Sequence, residues 1–246
     1  MQIYHNLFKK RAGDIGGIPK IWAKCRAVKI PEPSHFTFDA KKALHRDGIV
    51  IFKGVGDKFR PLNGWNEFLY NEILSITKEC WQEEAERAEG IPIGINIRKT
   101  GFRQAERYED FFTTGGLITP LSWFVESLKI IRKAVGFSVK AFVCSDAKKE
   151  ELDDVLSMEN IVFIKGSTAI SDLLALSKAK VLIGSGGSNF SAWASFLGQM
   201  PTISHPGQSL KWFNVENKRG FYIGEFDTEH PEEEFIKQVR SIISPD

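Results

Sequence analysis

The sequence predicts an α/β protein: a Rossmann-like, doubly wound parallel sheet preceded by a reduced N-terminal lobe. Two observations point there. From Ile91 onward, short apolar runs alternate with stretches of helical period. Each run is almost continuously apolar, as strands buried on both faces are, rather than alternating polar and apolar.

The elements follow in order. The first thirty-five residues are basic and punctuated by Gly13, Gly16, Gly17, Pro19, Pro31 and Pro33, with one short helix expected from Lys20 to Ala27. Gly48 to Phe52 reads as a short buried strand ending at Gly54. Trp65 to Glu89 carries Phe68, Leu69, Ile73, Ile76 and Trp81 at helical spacing on a charged surface, which predicts one long helix. The regular part begins with a strand at Ile93 to Ile97. It continues with a helix at Leu121 to Val135, whose Phe124, Leu128, Ile131 and Val135 share a face. Strands are then expected at Val139 to Cys144, Ile161 to Ile164, Val181 to Gly184 and Thr202 to Ser204. The helices between and after them run over Lys148 to Leu156, Ile170 to Ser177, Asn189 to Leu197 and Phe235 to Ile243. This divides the chain into a lobe over 1–90 and a nucleotide-binding domain over 91–246.

Composition narrows the function. A chain 42% hydrophobic and 26% charged can bury a core, and a net charge of +2 gives no pull toward nucleic acid. No apolar run approaches the roughly 20 residues of a membrane span, and no signal-peptide pattern opens the chain. Cys25, Cys80 and Cys144 lack paired or metal-type spacing, so free buried thiols in a reducing compartment, the cytoplasm, are expected.

Ligands of doubly wound sheets sit at the carboxyl ends of the strands. Three loops there carry candidate chemistry. Asn96-Ile-Arg98-Lys-Thr100 ends the Ile93 strand, and Arg98 could turn its fork of donors on a phosphate or serve as a surface salt-bridge partner. Ser145 and Asp146 follow Cys144, where they could cap the helix near Lys148 or reach a base or ribose; the cap is the simpler role. Gly184-Ser185-Gly186-Gly187-Ser188-Asn189 joins a strand to a helix. Its glycines would let backbone approach an anion at the helix N-terminus, or simply fit a tight turn.

Taken together, these segments resemble GDP-fucose-dependent fucosyltransferases of the α-1,2, α-1,6 and protein-O group, which have the two-domain GT-B fold. The family's His-x-Arg motif stands here as Asn96-Ile97-Arg98, its Ser-Asp-Asp as Ser145-Asp146-Ala147. The stretch Ser171-Asp172 through Ser185-Gly-Gly-Ser188-Asn189-Phe190-Ser191-Ala-Trp193 is similar to the family's third motif. Gly54 to Phe68 is weakly similar to the segment preceding the first. The resemblance covers about residues 48 to 205.

It implies an inverting, metal-free and cofactor-free transfer of fucose from GDP-fucose to a glycan hydroxyl. Arg98 would hold the diphosphate and stabilise departing GDP. Asp172 would accept from guanine, Ser188 and Asn189 would bind the β-phosphate, and Ser145 and Asp146 would shape the base and ribose pocket. An arginine and a helix N-terminus can neutralise the leaving charge without a cation. The sequence departs from the pattern at Asn96 (for histidine), Gly101 (for an acid) and Ala147 (for the second aspartate). Since Arg98, Asp172 and Ser188 remain, donor binding is supported more directly than turnover.

No catalytic base is identifiable; Glu106, Glu109 and Asp110 could reach an acceptor or form a solvated face. Only about ninety residues precede Ile91, so the Gly13-Asp14-Ile-Gly16-Gly17 loop could face the donor, or a second copy or partner subunit could complete the cleft. The alternatives are another enzyme of this fold, such as a polysaccharide pyruvyltransferase or sugar-nucleotide epimerase, and a catalytically inactive nucleotide-sugar-binding subunit. Among the aromatics, Trp123 and Trp193 are expected in the core. Trp212 and Phe213 are expected on a cleft wall, and His205 in a turn or lining the pocket; Trp65 is a further acceptor candidate.

Overall fold

The computed structural model describes residues 4–11, 17–26, 28–31, 48–51 and 58–243. In chain order the helices are α1 (Tyr4–Leu7), α2 (Gly17–Arg26), α3 (Asn66–Ile76), α4 (Glu79–Ala85), α5 (Asp110–Thr113), α6 (Leu121–Val135), α7 (Asp153–Leu156), α8 (Ala169–Ser177), α9 (Asn189–Gly198) and α10 (Glu233–Ile243). The strands are β1 (Val28–Pro31), β2 (Gly48–Ile51), β3 (Ile93–Ile97), β4 (Ala141–Ser145), β5 (Ile161–Phe163), β6 (Val181–Gly184), β7 (Thr202–Ser204) and β8 (Ile223–Glu225). Most of the loop from Gly13 to Gly17, and Phe52 to Asp57, lie outside the described residues.

Strands β3 to β8 form one wholly parallel sheet of order β5-β4-β3-β6-β7-β8, while β1 and β2 form a separate parallel pair. Renumbered along the sheet, that order is 3-2-1-4-5-6, the Rossmann arrangement. The chain runs outward in one direction from β3, then returns to start β6 on its other side. The topological switch point therefore lies between β3 and β6.

The two faces of the sheet bury different side chains, because strand side chains alternate. Ile93, Ile95 and Ile97 join Val143, Ile183 and Ile203 under Phe124, Leu128 and Ile131 of α6 and Phe235 and Val239 of α10. On the opposite face, Phe142, Cys144 and Leu182 pack with Leu174 and Ala175 of α8 and Ala85 of α4. Gly94 allows this second layer to approach: a Cβ there would stand 3.1 Å from Ala179 Cβ and 3.1 Å from Phe142 Cζ. A third cluster joins Phe59, Phe196, Leu210 and Phe213 at the flank of α9.

Helices α3 and α4, within the stretch 1–90 expected as a lobe, pack against this same body through Tyr70, Ile73, Leu74 and Trp81. They correct one expectation, for the single helix over Trp65 to Glu89 is two. Thr77 is extended (φ −67°, ψ 138°) and turns its hydroxyl onto the Ile73 carbonyl at 2.7 Å. The break is held from afar, since Lys9 N–H donates to Ile76 O and Lys78 N–H to Leu7 O. Local periodicity carries no record of that pairing. Strand β8 was not anticipated, because three residues at a sheet edge are too short to show a period.

The thiols need a second correction. Cys144 is buried, but Cys25 and Cys80 are exposed, because their helices carry them on solvent-facing positions. Among the described residues, no helix is long and apolar enough to cross a membrane.

Candidate functional site

Loops leaving β3, β4 and β6 converge at the switch point. Asn96, buried in β3, donates through Nδ2 to Ser191 Oγ at 2.7 Å, and its carbonyl accepts from Ser185 N–H at 2.9 Å. One residue on, Arg98 N–H donates to Ser185 Oγ at 2.8 Å. These bonds lace the end of β3 to the glycine turn after β6 and to the first turn of α9.

The second loop joins them by charge. Arg98 Nη1 lies 2.9 Å from Asp146 Oδ2, with the arginine side chain 41% exposed. The same carboxylate accepts from Lys99 N–H at 2.8 Å and Thr100 N–H at 3.1 Å. Asp146 thus folds the turn that aims Arg98. Both readings of Arg98 meet here: it is an ion-pair partner, and its remaining donors face a cleft.

The expected cap for the helical turn near Lys148 is corrected. Ser145 Oγ instead donates to Ile97 O (2.7 Å) and accepts from Ala147 N–H (3.1 Å), tying β4 to β3. Capping falls to Glu151, which accepts from Lys148 N–H at 2.9 Å, because the chain rises two residues past Asp146 before turning.

Asn96, Arg98, Ser145, Asp146, Asp172 and Phe190 line one cleft of about 250 Å³. Asp172 stands at its inner end, accepting from Gly166 N–H at 2.9 Å. Burial pushes its carboxyl up to about 6, helped by the negative Glu84 and resisted by the Gly166 and Cys144 hydrogen bonds. Burial, with the Asp172 carboxylate beside it, drives the Cys144 thiol well above its ordinary value.

Sequence reasoning missed Glu84 and Lys165. Glu84 is buried, and burial alone would raise its pKa. Hydrogen bonds from Ser167 N–H, Ser171 Oγ and Ser167 Oγ, each 2.9 Å, together with Arg87, hold it below the usual value. It anchors the 165–168 loop that forms one side of the cleft and carries Lys165 to its rim. A charged residue whose turn of helix also bears Ala85 and Ala88 was the available signal; its serine partners are more than eighty residues away.

The glycine turn is divided between two environments. Ser185 and Ser188 are buried, and Ser188 caps α9 by accepting from Ser191 N–H at 3.4 Å, while Asn189 is exposed. Gly186 is required by packing, because a Cβ there would collide with the Gln208 carbonyl oxygen and Cβ. Gly187, at φ 67°, lines a second cleft of about 550 Å³ on the far side of the turn, with Gly116, Gln208 and Trp212.

The remaining candidates separate. Asp110 accepts from Glu106 N–H (3.1 Å) and Arg107 N–H (2.9 Å), the latter chiefly lowering its pKa, so it organises its own loop; Glu106 and Glu109 are exposed. Trp123 is core, donating to Phe226 O at 2.9 Å, and Trp193 packs at 4.8 Å on Phe59. Trp65 is exposed, outside both clefts. Phe213 is buried, which corrects its expected place on a wall; Trp212, 64% exposed, is the wall residue. His205 lines a third cleft beside Tyr108 and Trp123, its Nδ1 2.7 Å from Pro206 O and its pKa lowered mainly by burial.

No family model matches this chain, and no curated protein matches it. Among solved structures it is similar to NodZ alpha-1,6-fucosyltransferase soaked with GDP-fucose, at 17% identity and TM-score 0.45 over 82% of this chain and 78% of that one. It is also similar to POFUT1 in complex with GDP (13% identity, TM-score 0.42, 70% and 60% covered). A third is the Methanocaldococcus jannaschii UDP-GlcNAc 2-epimerase in complex with UDP-GlcNAc and UDP (12%, 0.42, 84% and 51%). In another GDP complex of POFUT1, the chain spans about half of that protein's length, 49%.

Proposed function

We propose that this chain is a glycosyltransferase of the GT-B type that binds a GDP-sugar, most simply GDP-fucose, across the β3–β6 switch point and transfers the sugar to a glycan hydroxyl with inversion. The observation that carries the reading is the meeting of Arg98 with the Ser185–Ser188 turn at the carboxyl end of a Rossmann-ordered sheet, where nucleotides bind such sheets.

In this reading Arg98 and the first N–H groups of α9, opened by Ser188 and Asn189, hold the diphosphate. The Asp172 carboxylate at the inner end of the cleft accepts from the guanine N–H groups. The acceptor oxygen bonds to the anomeric carbon as the bond to the β-phosphate oxygen breaks, the hydroxyl proton passes to a base, and GDP leaves with its charge against Arg98. Asp146 acts by positioning Arg98, and Glu84 by holding the loop beside the base.

The test is calorimetric titration of GDP, UDP and ADP into the protein and into Arg98→Ala and Asp172→Ala. GDP selectivity that disappears with Asp172→Ala, and affinity lowered about tenfold to a hundredfold by Arg98→Ala, supports it. No nucleotide binding, or equal binding of UDP, overturns it. A second reading, a non-catalytic nucleotide-sugar-binding subunit, is favoured by one observation: Asn96 stands where the family has histidine, and its amide is committed to Ser191. Slow hydrolysis of bound GDP-fucose would exclude that reading.

A further inference from the structure

The cleft of about 550 Å³ beside the glycine turn shares Gly187 with that turn, and the rest of its lining comes from loops that the donor reading does not use. Gly115, Gly116, Gly187, Gln208, Trp212 and Glu225 line it. Gln208 settles its chemistry. The two N–H groups of its Nε2 are shared among three carbonyls, of Phe111 (2.7 Å), Thr114 (3.0 Å) and Gly207 (3.1 Å), which fixes the amide orientation. Its Oε1 is left buried without a hydrogen-bond partner, in a residue only 5% exposed. That oxygen faces Gly187: a Cβ built there would lie 3.4 Å from it.

A buried acceptor that never finds a donor is costly, so a ligand supplying an O–H or N–H at that point is favoured. The rest of the lining specifies which. Trp212 offers an exposed indole, fixed by Phe213 at 4.8 Å and by the Lys58 ammonium 2.9 Å from its ring centroid. Glu225 brings a carboxylate pinned by Gly207 N–H at 3.0 Å. A flat apolar ring, a carboxylate and an isolated carbonyl acceptor suit a molecule with an apolar face and a rim of hydroxyl donors. A phosphate or other anion would meet Glu225 and the Gln208 oxygen with the wrong charge.

We infer that this cleft is a saccharide-binding subsite, in which Trp212 stacks on a pyranose face while Gln208 Oε1 and Glu225 accept from its hydroxyl groups. It rests on the proposed transferase reading only for its role, that of acceptor site. Gly187 belongs to the turn that the donor reading assigns to the diphosphate, so that turn borders the saccharide cleft. The exposed Trp212, held by Lys58 over its ring and by Phe213 at 83° to it, loses little side-chain freedom on binding, which favours a weak but specific sugar site.

The experiment is binding of an array of neutral mono- to tetrasaccharides covering the common hexoses, hexosamines and deoxyhexoses, followed by titration of the best ligand by ligand-observed NMR. Two variants interrogate the site without disturbing the fold. Trp212→Ala removes an exposed ring, and Gly115→Leu fills the cleft from a position where an added Cβ meets nothing within 4 Å. The expected result is a saccharide whose affinity falls about tenfold or more in each variant, while Arg98→Ala leaves it unchanged. GDP titration of the same variants separates the two readings: Trp212→Ala retains GDP binding if the donor site stands. Absence of any saccharide binding on the array, or binding equally strong in both variants, overturns the inference whatever GDP does.

Discussion

The Arg98 guanidinium sits 2.9 Å from the Asp146 carboxylate, and that carboxylate also accepts the N–H groups of Lys99 and Thr100. One acid therefore orients the cation and folds the loop bearing it. Asp146→Asn keeps part of the backbone clamp but removes the countercharge. It is expected to cost about 1–2 kcal/mol in urea unfolding. Asp146→Ala, which also releases both amides, should cost more and should weaken any GDP binding, because Arg98 is no longer held. A variant as stable as the parent would show that the pair does not organise the loop.

Asp172 gives a pH signature of defined sign. Its folded pKa, about 6, lies above the ordinary 3.8, so the native state holds the proton more tightly than the unfolded chain. Stability from this group is present below about pH 4 and is lost as pH rises through 6. Its loss is on the order of 1–3 kcal/mol, discounted for its partial exposure. Asp172→Asn should flatten that slope in chemical denaturation at stepped pH. If the proposed donor site stands, GDP affinity should strengthen over the same interval, opposite to stability.

Glu84 runs the other way. Its pKa is depressed, so its contribution is present above the ordinary glutamate pKa of 4.5 and disappears as pH falls through the lower folded value. Glu84→Ala removes the carboxylate that accepts from Ser167 N–H, Ser167 Oγ and Ser171 Oγ, and should lower stability by about 2–3 kcal/mol, read from denaturant midpoints. Hydrogen exchange should show the 165–168 loop loosened while the strands stay protected.

Gly186→Ala tests the packing of the turn. The added methyl meets the backbone of Gln208, which cannot move aside as a flexible side chain would. A loss of about 1–3 kcal/mol is expected in thermal melts. Gly115→Ala, facing open space, should melt with the parent.

Thiol accessibility offers a simple check on the core. Cys25 and Cys80 should react with an aromatic disulfide reagent within minutes, and Cys144 only on unfolding, since it is buried and its thiolate is disfavoured. Three fast thiols would contradict the packing of β4 against α8.

What the sequence determined by itself was the Rossmann-like core. Strand β3 and helices α6, α8 and α9 are legible because continuous apolar runs and helical spacing are local properties, and Thr168 and Ser188 mark two helix starts in the same local way. The loops bearing Arg98, Asp146 and the Gly184–Asn189 turn were legible for the same reason: each follows an apolar run. Tertiary structure alone decided the rest. The break at Thr77 depends on residues 7 to 9, and the Arg98–Asp146 pair spans neighbouring strands. Glu84 meets Ser167 across more than eighty residues, and Gly186 is glycine because Gln208 crosses it. Periodicity reports which face of an element seeks burial, but says nothing of which distant atom arrives there; strand order and packing settle that, and with it the shape and charge of the clefts.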